Sequence, residues 1–443
     1  MATLQFIGGG RLNMAGVVFP GITDIISRLL PHPLICSIRN MSTDFQELDS
    51  KHHFYLYRRY PVTLVRGEGS RVWDSDGNMY IDALAGIAVN STGHCHPRVV
   101  KAVQEQASTL MHVSNFFTTP PQAELSRRLT RLSGLDRVFF CNSGLEAMEA
   151  AFKFSRKYGN NKGRQGDVLS MQGCFHGRSF TEIATGAAKY QDGFQPMPTG
   201  FRQLPFQDLD AIRDHIAGAN AVVLEPVQGE GGVRPFDFNF LRDVRALCDE
   251  HDVLLIFDEI QCGIARTGRM FAWEHSGVKP DILTLAKALG GGLAIGAVVA
   301  RQHVADAMEP GNHGTTFGGN PMACSAALAN LDVIEEEDLV NRAAEFGGMI
   351  MQKIRDRASD EPAIKEVRGL GMMIGVELAF DGTGIPREML KRGVISNCTA
   401  GNVMRIVPPL NISEEDMNTV IDVMFECIAL ERVKHHAEAT GHN

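Results

Sequence analysis

Positive charge is scarce in this 443-residue chain: 43 lysines and arginines face 52 aspartates and glutamates, for a net charge of −9. A nucleic acid or an anionic membrane would select a basic face, so neither is expected as a partner. Long apolar runs are missing as well. The most apolar window near the start, residues 14–22, is broken by Pro20 and Gly21 and falls short of the roughly 20 apolar residues that cross a bilayer. The nine cysteines contain no C-x-x-C, and no Cys/His cluster has zinc spacing. Neither a disulfide nor a metal site is expected, and reduced thiols fit a cytosol or an organelle matrix. Lysine is absent from residues 1–40, which hold three arginines and one acid, Asp24. That bias faintly resembles a transit peptide, but the preferred reading takes Met41 as the working start. Either way, residues 1–40 are expected to be a disordered or loosely packed extension.

What is present is ordinary for a globular protein, with 44% hydrophobic and 21% charged residues. The length suggests more than one core. Residues 41–95 read as an N-terminal segment with short strands, including a hairpin at Asp76-Gly77-Asn78. Residues 96–330 read as a large domain. In it, apolar runs near 138–140, 168–170, 221–224, 253–257, 282–285 and 296–300 alternate with helical segments, which predicts a mostly parallel α/β sheet. Residues 331–443 read as a smaller α/β domain, with strands near 372–378 and 403–407 and a closing helix over 415–433. No internal repeat or low-complexity tract is visible.

The chemistry concentrates between His251 and Gly292. The run Val253-Leu254-Leu255-Ile256-Phe257 ends in Asp258, and the run at 282–285 leads to Lys287 and three glycines, Gly290 to Gly292. Open α/β sheets bind ligands at the carboxyl edge, where both residues fall. An aspartate there also serves as a helix cap or turn residue, so neither residue suffices alone. Together they suggest pyridoxal phosphate: a lysine among apolar neighbours forms a Schiff base, and a buried aspartate pairs with a protonated pyridine nitrogen.

Ser143-Gly144-Leu145-Glu146 follows an apolar run and opens an apolar helical face, matching an S-x-x-E capping box. A helix N-terminus of this kind suits a phosphate, although it also reads as an ordinary capped helix. Phe175-His176-Gly177-Arg178 offers a ring for stacking and a guanidinium for a carboxylate; His176 itself reads as a packed polar residue. Glu225 reads as loop support and Glu230 as a pocket residue. Gly314-Thr315-Thr316-Phe317 places hydroxyls in a glycine-rich loop, and Arg405 lies in a strand near the end.

In their order these motifs resemble the class III aminotransferases of pyridoxal phosphate fold type I, from about Tyr57 to the last helix. The acetylornithine branch is nearest, through Gly93-His94-Cys95-His96-Pro97, Phe175-His176-Gly177-Arg178, Glu225-Pro226-Val227-Gln228-Gly229-Glu230-Gly231-Gly232, Asp258-Glu259-Ile260-Gln261-Cys262-Gly263, Lys287-Ala288-Leu289-Gly290-Gly291-Gly292 and the loop from His313 to Pro321. The resemblance implies that Lys287 carries the cofactor and moves the proton, while Asp258 pairs with its ring nitrogen. Gln261 bonds the ring hydroxyl and Phe175 stacks on the ring. Ser143, Gly144 and Leu145 cradle the phosphate, with Thr316 supplied by the second subunit of a homodimer whose sites lie at the interface. Arg178 takes the substrate α-carboxylate, with Thr315 and Tyr57 as further substrate contacts. Arg405 exchanges between Glu230 and a distal carboxylate. The implied reaction moves the δ-amino group of N-acetylornithine to 2-oxoglutarate in the cytoplasm. N-succinylornithine, ornithine, succinyldiaminopimelate and 4-aminobutyrate are the alternative donors. Gly86 stands where ornithine-specific members tend to carry tyrosine, leaving space for an acyl group. Leu145 departs from the family's threonine and lacks a hydroxyl for the phosphate.

Overall fold

The computed structural model describes residues 44–186 and 188–440, so the expectation for residues 1–40 lies outside the described residues. The chain divides into two compact units, Met1–Thr63 and Leu64–Asn443. In the first, Asp44 Oδ1 caps the helix Phe45–His52 by accepting from the Gln46 and Glu47 amides at 2.9 and 3.1 Å. Arg59 and Asp49 pair at 2.7 Å.

The second unit opens with an antiparallel meander, β1 (Leu64–Glu68), β2 (Arg71–Asp74) and β3 (Met79–Asp82). The hairpin read from Asp76-Gly77-Asn78 joins β2 to β3. Its turn closes on Asp74, whose carboxylate accepts from the Asp76 and Asn78 amides.

Next come β4 (Arg137–Cys141), β5 (Val168–Met171), β6 (Phe201–Leu204) and β7 (Ala221–Leu224). A small ribbon, β8 (Val227–Gln228) and β9 (Arg234–Pro235), precedes β10 (Leu254–Asp258), β11 (Ile282–Leu285) and β12 (Gly296–Ala300). Seven of these form one sheet in the order β4-β12-β11-β10-β7-β5-β6, in which only β12 runs antiparallel to its neighbours. The sheet is mostly parallel, as the alternation predicted.

Every residue of β5, β7, β10, β11 and β12 is buried, because helices cover both faces. Alternate side chains serve two cores. Leu255 and Phe257 pack with the helix Phe238–His251, while Leu254 and Ile256 pack with the helix Gly144–Asn161. Edge strand β6 escaped the sequence reading because it buries only Leu204.

The C-terminal third builds a second sheet from β13 (Ile364–Leu370), β14 (Met373–Leu378), β16 (Asn397–Thr399) and β17 (Val403–Ile406). Strand β15 (Val394–Ile395) leaves this region to pair in parallel with β3. The closing helix is Glu414–Thr440, longer than its sequence suggested.

Candidate active site

The carboxyl ends of parallel strands β4, β5, β7, β10 and β11 point the same way, and each is followed at once by chemistry. Ser143 follows β4, Phe175 follows β5, Glu225 follows β7, Asp258 ends β10, and Lys287 follows β11. They line one cavity of about 510 Å³ together with Gly144, Leu145, Arg178 and Gln261. That size suits a small-molecule site.

Lys287 sits at φ 39°, a left-handed conformation that a non-glycine residue adopts only where its surroundings enforce it. The enforcement is visible next door. Gly291 (φ 58°) lies so close to Asn330 that a Cβ would come within 2.9 Å of its Oδ1, and Asn330 Nδ2 donates to Ala288 O at 2.7 Å. Lys287 is half-buried and lines the cavity. Burial lowers the pKa of its amine, more than the Asp258 and Glu230 carboxylates raise it. A neutral amine is what nucleophilic and proton-transfer chemistry requires.

Asp258 is 3% exposed and fully partnered. Its Oδ2 meets His176 Nδ1 at 2.8 Å, and its Oδ1 accepts from the Ile260 amide at 3.0 Å. Burial opposes charge on His176, but the Cys174 sulfur and the Asp258 carboxylate hold its pKa well above the ordinary value. His176 is packed, as read from the sequence, yet it also anchors Asp258. Only the strong signal at Asp258 could have prompted a search for such an anchor. Glu225 supports the loops, as expected, accepting from the Phe175 amide at 2.9 Å and the Gly229 amide at 3.0 Å.

The helix Gly144–Asn161 is capped by Ser143, whose Oγ accepts from the Glu146 amide at 3.2 Å. The expected capping box is only half made. The Glu146 carboxylate reaches one residue further back, accepting from the Asn142 amide at 2.5 Å, because the Asn142 side chain also donates to it. The Gly144 and Leu145 amides are left without intrahelical acceptors at the positive end of the helix dipole.

Arg178 lies against two rings, 5.8 Å from Phe175 and 5.3 Å from Tyr190, and pairs with no carboxylate among the described residues. Across the site, Arg405 is 1% exposed; its Nη1 is 2.5 Å from Glu230 Oε1 and 3.0 Å from Gln261 Oε1. Burial pushes the Glu230 pKa up, but Arg405 outweighs it and keeps the carboxylate ionised. Arg405 Nη2 is buried without an acceptor among the described residues. Gly229 permits this packing, since a Cβ there would fall 2.3 Å from Gln261 Oε1.

Some expected residues lie elsewhere. Thr315 and Thr316 border a neighbouring cavity of about 440 Å³ that shares Asn142 with the first; Asn142 Nδ2 donates to Thr315 Oγ1 at 3.2 Å. Gly86 (φ 63°) is exposed in a left-handed turn shared with Ala85, Ile87 and Ala88. Of this stretch, it is the following Val89 that lines the Lys287 cavity. Tyr57 belongs to the first unit, where it is exposed and lies 6.3 Å from the His53 ring.

The donor set fits pyridoxal phosphate. It offers a buried amine of lowered pKa, an anchored carboxylate, an aromatic ring, and helix-end amides with no internal acceptor. The class-III aminotransferase family model matches residues 56–428. Acetylornithine aminotransferase of Methanocaldococcus jannaschii is 52% identical over 384 residues, covering 86% of this chain and 96% of its own. The ornithine aminotransferase of Toxoplasma gondii superposes with a TM-score of 0.86 at 35% identity, covering 90% of this chain and 98% of its own. A second structure of that enzyme, with pyridoxal phosphate at partial occupancy in its active site, also gives 0.86, at 34% identity and 92% and 100% coverage. The chain belongs to the class-III aminotransferases, which work with pyridoxal phosphate.

Proposed function

We propose that the protein transfers the δ-amino group of N-acetylornithine to 2-oxoglutarate, yielding N-acetylglutamate semialdehyde and glutamate for arginine synthesis. The observation that carries this reading is the buried Arg405–Glu230 pair at 2.5 Å, in contact with Gln261 and electrostatically coupled to Lys287. Paired with Glu230, Arg405 presents no net charge to a donor that reacts through its amino end. Released from Glu230, it receives the second carboxylate of 2-oxoglutarate, a bidentate match for a guanidinium. The names of the relatives point the same way.

Bound pyridoxal phosphate supplies a protonated ring that takes up the electron pair left when a substrate carbon loses its proton. In this assignment Lys287 would hold the cofactor and move that proton, burial lowering the pKa of its amine. Asp258, anchored by His176, holds the proton on the ring nitrogen. Gln261 holds the ring hydroxyl, Phe175 stacks on the ring, and Ser143 with the Gly144 and Leu145 amides holds the phosphate. Arg178 orients the α-carboxylate, with Thr315 and Tyr57 as further substrate contacts. Gly86 leaves space for the acyl group.

The proposal includes a cytoplasmic homodimer with Thr316 reaching the second subunit's cofactor. It also divides the chain into an N-terminal segment (41–95), a large domain (96–330) and a small domain (331–443). A second copy would cover the apolar side chains Phe116, Phe117 and Phe317, which are 92%, 66% and 60% exposed. The eight cysteines among the described residues carry free thiols, which suits a reducing compartment.

The test is an amino-donor panel against 2-oxoglutarate: N-acetylornithine, N-succinylornithine, ornithine, succinyldiaminopimelate and 4-aminobutyrate. N-acetylornithine should give the highest kcat/KM. A clear advantage for 4-aminobutyrate would overturn the assignment.

A further inference from the structure

A second cavity, of about 800 Å³, opens where the loop after Glu230 meets the small sheet. Lys287 is not in its wall. The wall carries three guanidinium groups, Arg234, Arg355 and Arg368, against two carboxylates, Glu366 and Glu377.

The carboxylates are unevenly shared. Arg368 takes both, with Nη1 2.6 Å from Glu366 and 2.5 Å from Glu377, and its other nitrogens donate to Gly232 O and Val233 O. Arg355 donates only to Val367 O, at 3.3 and 3.2 Å. Arg234 pairs through its backbone with Gln228 in the β8–β9 ribbon, but its guanidinium has no hydrogen bond or ion pair among the described residues; it rests 3.5 Å from the centroid of the Phe206 ring. Burial, with Arg368 nearby, lowers its pKa. Two cations therefore border one roomy polar cavity without a carboxylate of their own, and one of them is braced on an aromatic face.

We propose that this cavity binds a small multivalent anion bearing carboxylate or phosphate groups, with Arg234 and Arg355 as its ligands. A planar guanidinium fork matches either group bidentately. The site also touches the catalytic machinery. Gly231 is in its wall next to Glu230, and Ala400 is in its wall next to Thr399, whose hydroxyl donates to Glu230 O at 2.6 Å.

The experiment is calorimetric titration of the cofactor-loaded enzyme at low salt, with inorganic pyrophosphate in one arm and tricarballylate in the other. At least one probe should bind saturably, once per chain, and tighter binding by one arm identifies the phosphate or carboxylate class. Arg234→Gln should weaken binding tenfold or more, while turnover on saturating substrates without the probe stays unchanged. Ala400→Glu, which brings a carboxylate to the wall, should do the same and decides the matter alone if Arg234→Gln does not fold. Absence of saturable binding by either probe overturns the proposal. So does binding that both variants leave intact, which would place the probe outside this cavity.

Discussion

His176 Nδ1 lies 2.8 Å from Asp258 Oδ2 in the interior, with the two side chains 0% and 3% exposed. The contact holds one carboxylate oxygen while the other accepts from the amide of Ile260 and, at 3.4 Å, from the Thr284 hydroxyl.

His176→Phe should therefore keep much of the packing while leaving Asp258 Oδ2 without its donor. Leaving a buried acceptor unsatisfied costs about 1–3 kcal/mol, roughly a 5- to 150-fold loss in rate if the carboxylate acts in the rate-limiting step. Single-turnover kinetics with the donor amino acid would read this, alongside cofactor affinity. His176→Asn, which retains a donor, should recover part of the loss. Equal rates in His176→Phe and the parent would remove the anchoring role.

Arg405 and Glu230 should respond in opposite directions. Arg405→Ala removes the proposed carboxylate receptor and should raise the KM for 2-oxoglutarate about tenfold or more, as loss of a charge-assisted contact of roughly 1.5–3 kcal/mol implies. Glu230→Gln frees Arg405 and should lower that KM while weakening use of the acylated donor. Separate measurement of the two half-reactions checks both.

Leu145 lines the cavity where a threonine hydroxyl could meet a phosphate. Leu145→Thr should slow cofactor loss by about fivefold, the equivalent of one hydrogen bond of roughly 1 kcal/mol. Dialysis followed by the absorbance of retained cofactor gives the off-rate. Identical off-rates would show that the Gly144 and Leu145 amides already suffice.

Glu182 is 1% exposed, with Oε2 accepting from the Ser179 amide and Oε1 without a hydrogen-bond partner among the described residues, and burial raises its pKa to about 8. A carboxyl whose folded pKa exceeds its unfolded value of 4.5 keeps its proton longer in the folded state. Unfolding free energy then falls as pH rises from about 4.5 to about 8 and levels off above, with a slope of at most about 1.4 kcal/mol per pH unit for one proton. Glu182→Gln should flatten urea-unfolding stability across that window by up to one proton. An unchanged slope would mean that Glu182 is ionised in the folded protein.

Much of the catalytic edge was legible because local rules write it. A fully buried parallel strand needs an unbroken apolar run, so the runs ending at Leu224, Phe257 and Leu285 stood out, and the polar residues after them fell at one edge. The N-cap at Ser143 and the turn at Gly290 to Gly292 are likewise short-range requirements of backbone geometry. Strand β6 left no such trace, because an edge strand with one buried residue needs no apolar run.

Partnerships were another matter. His176 and Asp258 are 82 residues apart, and Arg405 and Glu230 are 175 apart. The sequence by itself determined the parallel sheet, the strand-end lysine and aspartate, and the capped turn, since each depends on neighbours within a few residues. Only the tertiary structure decided that His176 anchors Asp258, that Arg405 pairs with Glu230, and that Thr315 and Thr316 border a separate cavity. Side-chain pairing and desolvation depend on which distant segments the fold brings together, and no local pattern encodes that.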